Sequence, residues 1–234
     1  MRDNNHNQGI TMPSKVLPTT PAAQPQHFLP AAFIGTAALF ILLEGLGIQG
    51  LWMASLKALP IAILGAFALR QLRGPTRALT LAALAFSALG DVLLEMDFPN
   101  QFIAGLGAFL LAQLIYAGNF LRSADFRNRR SLLRAVPVLV AAFLLARLIL
   151  PASADLAPAV LLYLLAIVVM ALGAAAHRGD SALLFGGAVT FMVSDTLIAL
   201  NRFIAPMPFA DTAIMLTYYS AQFFILYGIR RTQA

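Results

Sequence analysis

The sequence predicts an all-α fold, a polytopic transmembrane bundle of eight helices with both termini in the cytoplasm. Three observations lead there. The chain is 60% hydrophobic and only 11% charged, with mean hydropathy +0.80, whereas a soluble domain carries about 25% charged residues. Apolar runs of the roughly 20 residues that one bilayer crossing needs recur along its whole length. The basic residues cluster on alternate connections between those runs. A β-barrel would alternate apolar and polar residues in short segments, and these runs are apolar on every side.

Residues 1–29 are polar and broken by Pro13, Pro18, Pro21 and Pro25. This stretch reads as a disordered cytoplasmic tail and not as a secretory leader, because no apolar core follows a basic start. The eight-helix transmembrane domain is expected over 30–230, with 231–234 as a short cytoplasmic tail. Span 1 is expected over Pro30–Gln49 and span 2 over Leu51–Gln71. One unbroken apolar region covers both, so "GLGIQG" (Gly45–Gly50) must supply the hairpin. Span 3 is expected over Thr76–Met96 and span 4 over Gln101–Leu121. Span 5 covers Leu132–Leu150 and stops at Pro151. Span 6 covers Ala157–Ala176, span 7 Ser181–Phe203 and span 8 Asp211–Ile229.

The charges orient these spans. Arg2 and Lys15 precede span 1. Connection 2–3 carries Arg70, Arg73 and Arg77, and connection 4–5 carries Arg122, Arg127, Arg129, Arg130 and Arg134. Arg178 lies between spans 6 and 7, and Arg230 and Arg231 follow span 8. Thirteen of the 16 basic residues thus share one side, which the positive-inside rule assigns to the cytoplasm. The opposite connections offer Arg202 beside Glu95, Asp97, Asp155 and Asp211. The net charge of +6 therefore suits anionic headgroups, and no nucleic-acid partner is implied. The arginine, alanine and leucine bias suggests a bacterial chain, and hence an integral protein of the bacterial inner membrane.

Orientation converts position into depth, at about 1.5 Å per residue. Glu44 falls near the outer end of span 1, and Lys57 about two turns down span 2. Asp91 lies a turn or more inside span 3. Asp195 is about two turns below the surface in span 7, with Asn201 nearer the exit. Tyr218, Tyr219 and Gln222 occupy the same outer half in span 8. A charge at mid-bilayer costs roughly 2.5–3.5 kcal/mol on insertion scales, so charges tolerated at random should not share one depth. Polar groups from five helices in one layer point to an enclosed cavity. Ser87, Asp91 and Glu95 share a face by their four-residue spacing. Ser194 and Asn201 share another, with Asp195 beside it. Pro60, three residues beyond Lys57, is expected to kink span 2 and free backbone carbonyls near the cavity. Glu95 and Asp97 read as residues at the water boundary, and Lys57 as a partner for Glu44 or Asp91. Gly105 and Gly107, and Gly186 and Gly187, read as close helix packing.

There is no cysteine, so thiol chemistry is out. The histidines, His6, His27 and His177, all fall outside the layer, which argues against a zinc hydrolase and a histidine-assisted serine. No cofactor is implied. The chemistry on offer is that of carboxylates, one amine, an amide and phenols.

In this order, "SLKALP" (Ser55–Pro60), "LGDVLL" (Leu89–Leu94), "FMVSDTLIALNRF" (Phe191–Phe203) and "YYSAQ" (Tyr218–Gln222) resemble the signatures of the YhhN-type lysoplasmalogenase family, over about Leu39 to Tyr227. "GAFLLAQLIY" (Gly107–Tyr116) is similar as well, with Gln113 where the family pattern implies a histidine; glutamine cannot titrate in its place. The resemblance implies hydrolysis of the vinyl-ether bond of a lysoplasmalogen to a fatty aldehyde and glycerophosphoethanolamine or glycerophosphocholine, with a lysophospholipid and the bilayer as partners. It carries Lys57, Asp91, Asp195 and Asn201 into the site, with Tyr219 and Gln222. Two carboxylates can divide general-acid and general-base tasks. Asp195 is expected as the acid and Asp91 as the base or cation stabiliser, with the reverse assignment open. Lys57 suits the substrate phosphate. Asn201 and Tyr219 suit water or glycerol hydroxyls, and Glu44, Ser194 and Gln222 complete the expected binding set. A transporter or a non-catalytic lipid-binding protein would use the same cavity, but a transport path needs polar groups on both sides of the midplane.

Overall fold

The computed structural model describes residues 28–179 and 181–233. Within them the chain forms eight α-helices, α1 (Phe28–Gly45), α2 (Leu51–Gln71), α3 (Gly74–Glu95), α4 (Gln101–Leu121), α5 (Arg129–Ile149), α6 (Ala157–Ala176), α7 (Ala182–Phe203) and α8 (Ala210–Gln233), with a short 3-10 turn over Pro151–Leu156 between α5 and α6. All eight are long and apolar enough to cross a membrane. The expected disordered tail lies outside the described residues as far as residue 27, and so do His6 and His27. Helix α1 begins two residues ahead of the expected start, at Phe28. Helix α8 continues through Arg231 to Gln233, where a short tail was expected.

The turns follow from local chemistry. Helix α1 stops at Gly45, earlier than expected, because Gly47 (φ 73°) and Gly50 (φ 141°) take backbone conformations open to glycine. Pro75 occupies the first turn of α3 and Pro158 that of α6, where a missing N–H costs nothing. The Asn128 side chain caps α5 by accepting from the Arg130 backbone N–H at 2.9 Å.

Helices α7 and α8 are brought together by two glycines. A side-chain carbon on Gly187 would lie 2.6 Å from the Ile225 backbone nitrogen, and one on Gly228 would meet the Leu184 backbone. Bare backbone at both positions lets the helices touch. The expected glycine pairs divide: Gly187 and Gly105 face close neighbours, while Gly186 and Gly107 have open space beside them. Helix α5 packs on the outside against α6 and α7.

The arginine-bearing connections meet at one end of the bundle. The Asp125 backbone N–H donates to the Ala176 carbonyl at 2.6 Å, and that of Arg178 to the Ser123 carbonyl at 2.9 Å, joining connections 4–5 and 6–7. The Arg130 guanidinium adds a bond to the Gly179 carbonyl at 2.8 Å. Gln233 reaches the Arg73 carbonyl at 3.4 Å, which brings the end of α8 to connection 2–3. Glu44, Glu95, Arg202 and Asp211 stand at the opposite end, near the ends of α1, α3 and α7 and the start of α8.

Gly187→Leu is expected to cost about 1–3 kcal/mol through overpacking, while Gly186→Ala changes little; thermal unfolding of the two variants in detergent measures the difference. A fluorescent protein fused after Ala234 is expected to fluoresce and alkaline phosphatase at the same point to stay inactive, as the positive-inside rule requires of the arginine-rich end; active phosphatase would reverse the orientation.

Candidate active site

Helix α3 carries a polar stripe at Thr80, Ser87, Asp91 and Glu95, and each member has a partner on another helix. Asn119 of α4 donates to Thr80 Oγ1 at 3.2 Å. Gln222 of α8 donates to Ser87 Oγ at 2.9 Å, and its carbonyl accepts from Tyr116 Oη at 2.8 Å. Tyr218 Oη donates to Asp91 Oδ2 at 2.8 Å. Lys57 Nζ donates to Glu95 Oε2 at 3.0 Å. Asp91 is only 1% exposed, so its pairing is fixed within the protein.

Above these pairs lies a cavity of about 470 Å³. Glu44, Lys57, Asp91, Ser194, Asp195, Asn201, Arg202, Asp211 and Tyr218 supply its polar wall, and Leu94, Phe102, Phe109, Ile198, Ile214 and Met215 its apolar wall. Two carboxylates from different helices, Asp91 on α3 and Asp195 on α7, thus face one chamber. The cations are Lys57 and Arg202. Lys57 Nζ also stands 5.6 Å from the centre of the Phe40 ring, and the Arg202 guanidinium 5.1 Å from that of Phe102, contacts that favour a partly desolvated cation. Among the described residues no three of His, Cys, Asp or Glu gather as a metal-ligand set.

Asp195 is gripped from behind. Tyr163 of α6 donates to its Oδ2 at 2.6 Å and Gln113 of α4 donates to the same oxygen at 3.4 Å. Both bonds fall on one oxygen, which leaves Oδ1 for the chamber. Gln113 therefore keeps a hydrogen-bonding role at the position where a histidine was expected. Its own carbonyl oxygen is buried without a partner.

The other expected site residues divide. Glu44 lines the chamber, with Oε2 buried and unpartnered. Asn201 lines it too, and its Oδ1 accepts from the Met207 backbone at 2.8 Å, which fixes the turn into α8. Ser194 lines the wall, but its hydroxyl donates to the Ile214 carbonyl at 3.0 Å. Tyr219 and Gln222 do not line the chamber. Gln222 is fully buried beneath it in the Ser87–Tyr116 bridge. Tyr219 Oη donates to the Lys57 carbonyl at 2.8 Å, one turn before Pro60, where the helix was expected to open. One further expectation is corrected. Lys57 pairs with Glu95 and not with Glu44 or Asp91, and Glu95, whose side chain stays 26% exposed at the end of α3, meets it from the boundary.

Sequence reasoning missed Tyr163, Arg202 and Asp211 as members of the site. Tyr163 left one signal: it is the only polar side chain in α6, and a buried phenol hydroxyl needs a partner. Arg202 and Asp211 read as surface charges of an outer connection; both are exposed, and the fold places them at the rim of the chamber.

The chain is 32% identical over 203 residues to a protein named lysoplasmalogenase TMEM86B from Sus scrofa, covering 86% of this chain and 85% of that protein. It is 29% identical over 193 residues to lysoplasmalogenase TMEM86A from Homo sapiens, covering 74% and 77%. It is 32% identical over 177 residues to a lysoplasmalogenase from Mycobacterium tuberculosis (strain CDC 1551 / Oshkosh), covering 74% and 68%. No solved structure matches. The YhhN family model matches residues 52–229, a stretch that holds every chamber residue except Glu44, and the chain therefore belongs to the YhhN family, as a multi-pass integral membrane protein.

Proposed function

We propose that this protein is a lysoplasmalogenase, an ether-bond hydrolase that releases a fatty aldehyde and a glycerophospho-alcohol from a lysoplasmalogen by carboxylate acid–base catalysis. The observation that carries the reading is that Asp91 and Asp195, from different helices, open onto one chamber with Lys57 and Arg202. The names and the extended similarity of the relatives support the activity.

A vinyl ether is hydrolysed by protonation at the carbon β to oxygen. The double-bond electrons take up the proton and an oxocarbenium ion remains. Water adds to its carbon and gives up a proton, and the resulting hemiacetal collapses to aldehyde and alcohol, with one water consumed. The rate-determining proton transfer to carbon needs a positioned acid, and the cation needs a negative neighbour. In this reading Asp195 gives the proton from Oδ1 while Tyr163 and Gln113 hold Oδ2. Asp91, anchored by Tyr218, stabilises the cation and then takes the proton from the attacking water. The same carboxyl pair restores the starting protonation as the hemiacetal breaks. Lys57 and Arg202 meet the phosphate, and Asn201 and Glu44 face the glycerol and headgroup. The outer end of the bundle suits this division, because the headgroup of a single-chain amphiphile lies at the membrane surface with the ether bond just below it.

Purified protein incubated with a lysoplasmenylethanolamine is expected to release aldehyde, and a preparation that binds the lipid but releases none would leave a binding protein. Asp91→Asn and Asp195→Asn are each expected to lower kcat by roughly 10²–10⁴-fold, the usual share of a positioned acid or base, with the unfolding midpoint kept; full turnover in either variant ends the two-carboxylate scheme. Lys57→Met is expected to raise KM about tenfold, as loss of one charged hydrogen bond would, and to change kcat far less. An equal fall in kcat would move Lys57 from phosphate binding into the chemical step.

A further inference from the structure

A second, apolar cavity lies beside the chamber between α4, α6 and α7. It is a narrow slot of about 50 Å³ whose wall includes Leu106, Val160, Tyr163, Ala199 and Phe203. Leu94, Phe102, Phe109, Asp195 and Ile198 line both it and the polar chamber, so the two spaces adjoin, and Asp195 stands at their junction.

The helices around the slot explain why it exists. Helix α6 packs on α4 and on α7, whereas α4 and α7 have little backbone contact with each other. Only side chains bridge them. At the outer end the rings of Phe102 and Phe203 meet edge to face, 6.0 Å apart, with the Arg202 guanidinium over Phe102 at 5.1 Å. Deeper in, the bridge is the Gln113–Asp195 hydrogen bond. The two bridges are eleven residues apart on α4, roughly 16 Å of helix. On α4 between them Phe109 meets Phe191 of α7 edge to face, 6.5 Å apart, and Leu106, Ile198 and Ala199 form a seam of apolar, partly exposed side chains along the slot.

We propose that this seam is the lateral portal for the hydrocarbon chain of the substrate, and that the Arg202–Phe102–Phe203 cluster is its latch. The inference rests on the lysoplasmalogenase reading and deepens it. A lysolipid lying in the outer leaflet slides its chain between α4 and α7 while its headgroup enters the polar chamber. The aldehyde, which is as apolar as the chain, leaves to the bilayer by the same seam, and the glycerophospho-alcohol leaves to water.

The portal also orients the chemistry. Along the lipid, the β carbon of the vinyl ether lies on the chain side of the ether oxygen, and the glycerol lies on the other. With the chain in the seam, the β carbon is presented to Asp195 at the junction, and the ether oxygen and attacking water lie toward Asp91. The pocket between α1 and α8, about 270 Å³ and lined by Ile34, Ala37, Ala38 and Leu216, is a larger apolar space, yet it shares no lining residue with the chamber. Tyr219, bonded to the Lys57 carbonyl, stands in its wall.

The test compares substrates with 16-carbon and 6-carbon alkenyl chains. Leu106→Trp, which fills the seam, is expected to lower the ratio of kcat/KM for the long chain over the short chain at least tenfold, whereas Ala38→Phe in the α1–α8 pocket leaves that ratio and the activity as they are. An unchanged ratio in Leu106→Trp, or a fallen ratio in Ala38→Phe, overturns the portal. A second measurement uses one preparation as its own control: the chain has no cysteine, so Phe102→Cys with Phe203→Cys can be bridged across the seam by a short bis-methanethiosulfonate and freed with reductant. Bridging is expected to suppress long-chain turnover at least tenfold and reductant to restore it; equal turnover in the bridged and freed protein overturns the portal. Wild-type protein that releases no aldehyde from either chain length overturns the hydrolase reading itself, and the portal with it.

Discussion

The bond from Tyr218 to Asp91, and the row of bonds it belongs to, sets the register of this bundle. In hydrocarbon an apolar side chain gains little by choosing a helix neighbour over a lipid tail. A polar group has no such freedom, because water is absent and an unmade bond is expensive. Helix α3 carries its polar groups at Thr80, Ser87, Asp91 and Glu95, along one face. The partners come from α4, α8 and α2. Ser87 and Asp91 are four residues apart on α3, as Tyr218 and Gln222 are on α8, and the two helices run in opposite directions. A one-residue slip of α8 would break both bonds together and strand an aspartate that is almost fully buried. The pattern thus selects one alignment out of many that apolar packing would tolerate.

The close pairs and the glycines act on the same goal from different sides. Gly187 and Gly228 draw α7 and α8 into backbone contact, and this sets Asp195 of α7 near the face of α8 that carries Tyr218. Helix α8 in turn fixes Asp91. Two carboxylates on helices distant in sequence therefore meet at one cavity through a single shared neighbour. Their surroundings differ. Asp91 has one phenol donor and the floor of the chamber around it, while Asp195 has two donors on one oxygen and an apolar slot beside it. A reaction that needs an acid and a base at the same moment is served by such unlike settings.

Much of this was legible in the residues. Span ends followed from prolines, glycines and the apolar lengths, and most helices begin and end within a few residues of expectation. Depth was legible too, because helical rise converts residue number directly into distance along the membrane normal. What the residues could not give was rotation. The partner of Lys57 depends on how α2 and α3 turn about their own axes, and Glu95 wins over Glu44 and Asp91 for a reason visible only in three dimensions. The same is true of Gln222, placed correctly in depth yet turned under the chamber and not into it. Tyr163 was overlooked because α6 contributes nothing else polar, although that isolation was the clue. Arg202 belongs to a third kind: its charge assigns it to a water-facing connection, where it stays exposed, and a nearby aromatic ring holds it at the chamber mouth.

The depth at which the polar pairs stop bears on what such a cavity can be used for. Below Asp91 the stripe on α3 continues to Ser87, seven residues and roughly 10 Å short of Thr80, and the turns between are filled by Ala83 and Leu84, both buried. The hydroxyl, amide and phenol of the Ser87–Gln222–Tyr116 group are bonded to one another, and Thr80 is engaged by Asn119. An ion leaving the chamber downward would have to break those bonds and then cross an apolar plug with no charge to receive it. The chamber is therefore blind on the side of the arginines. A solute cannot traverse a blind chamber. A molecule that is half polar and half hydrocarbon can enter it from the side, be cut at the boundary between its halves, and leave as two products that separate into water and lipid.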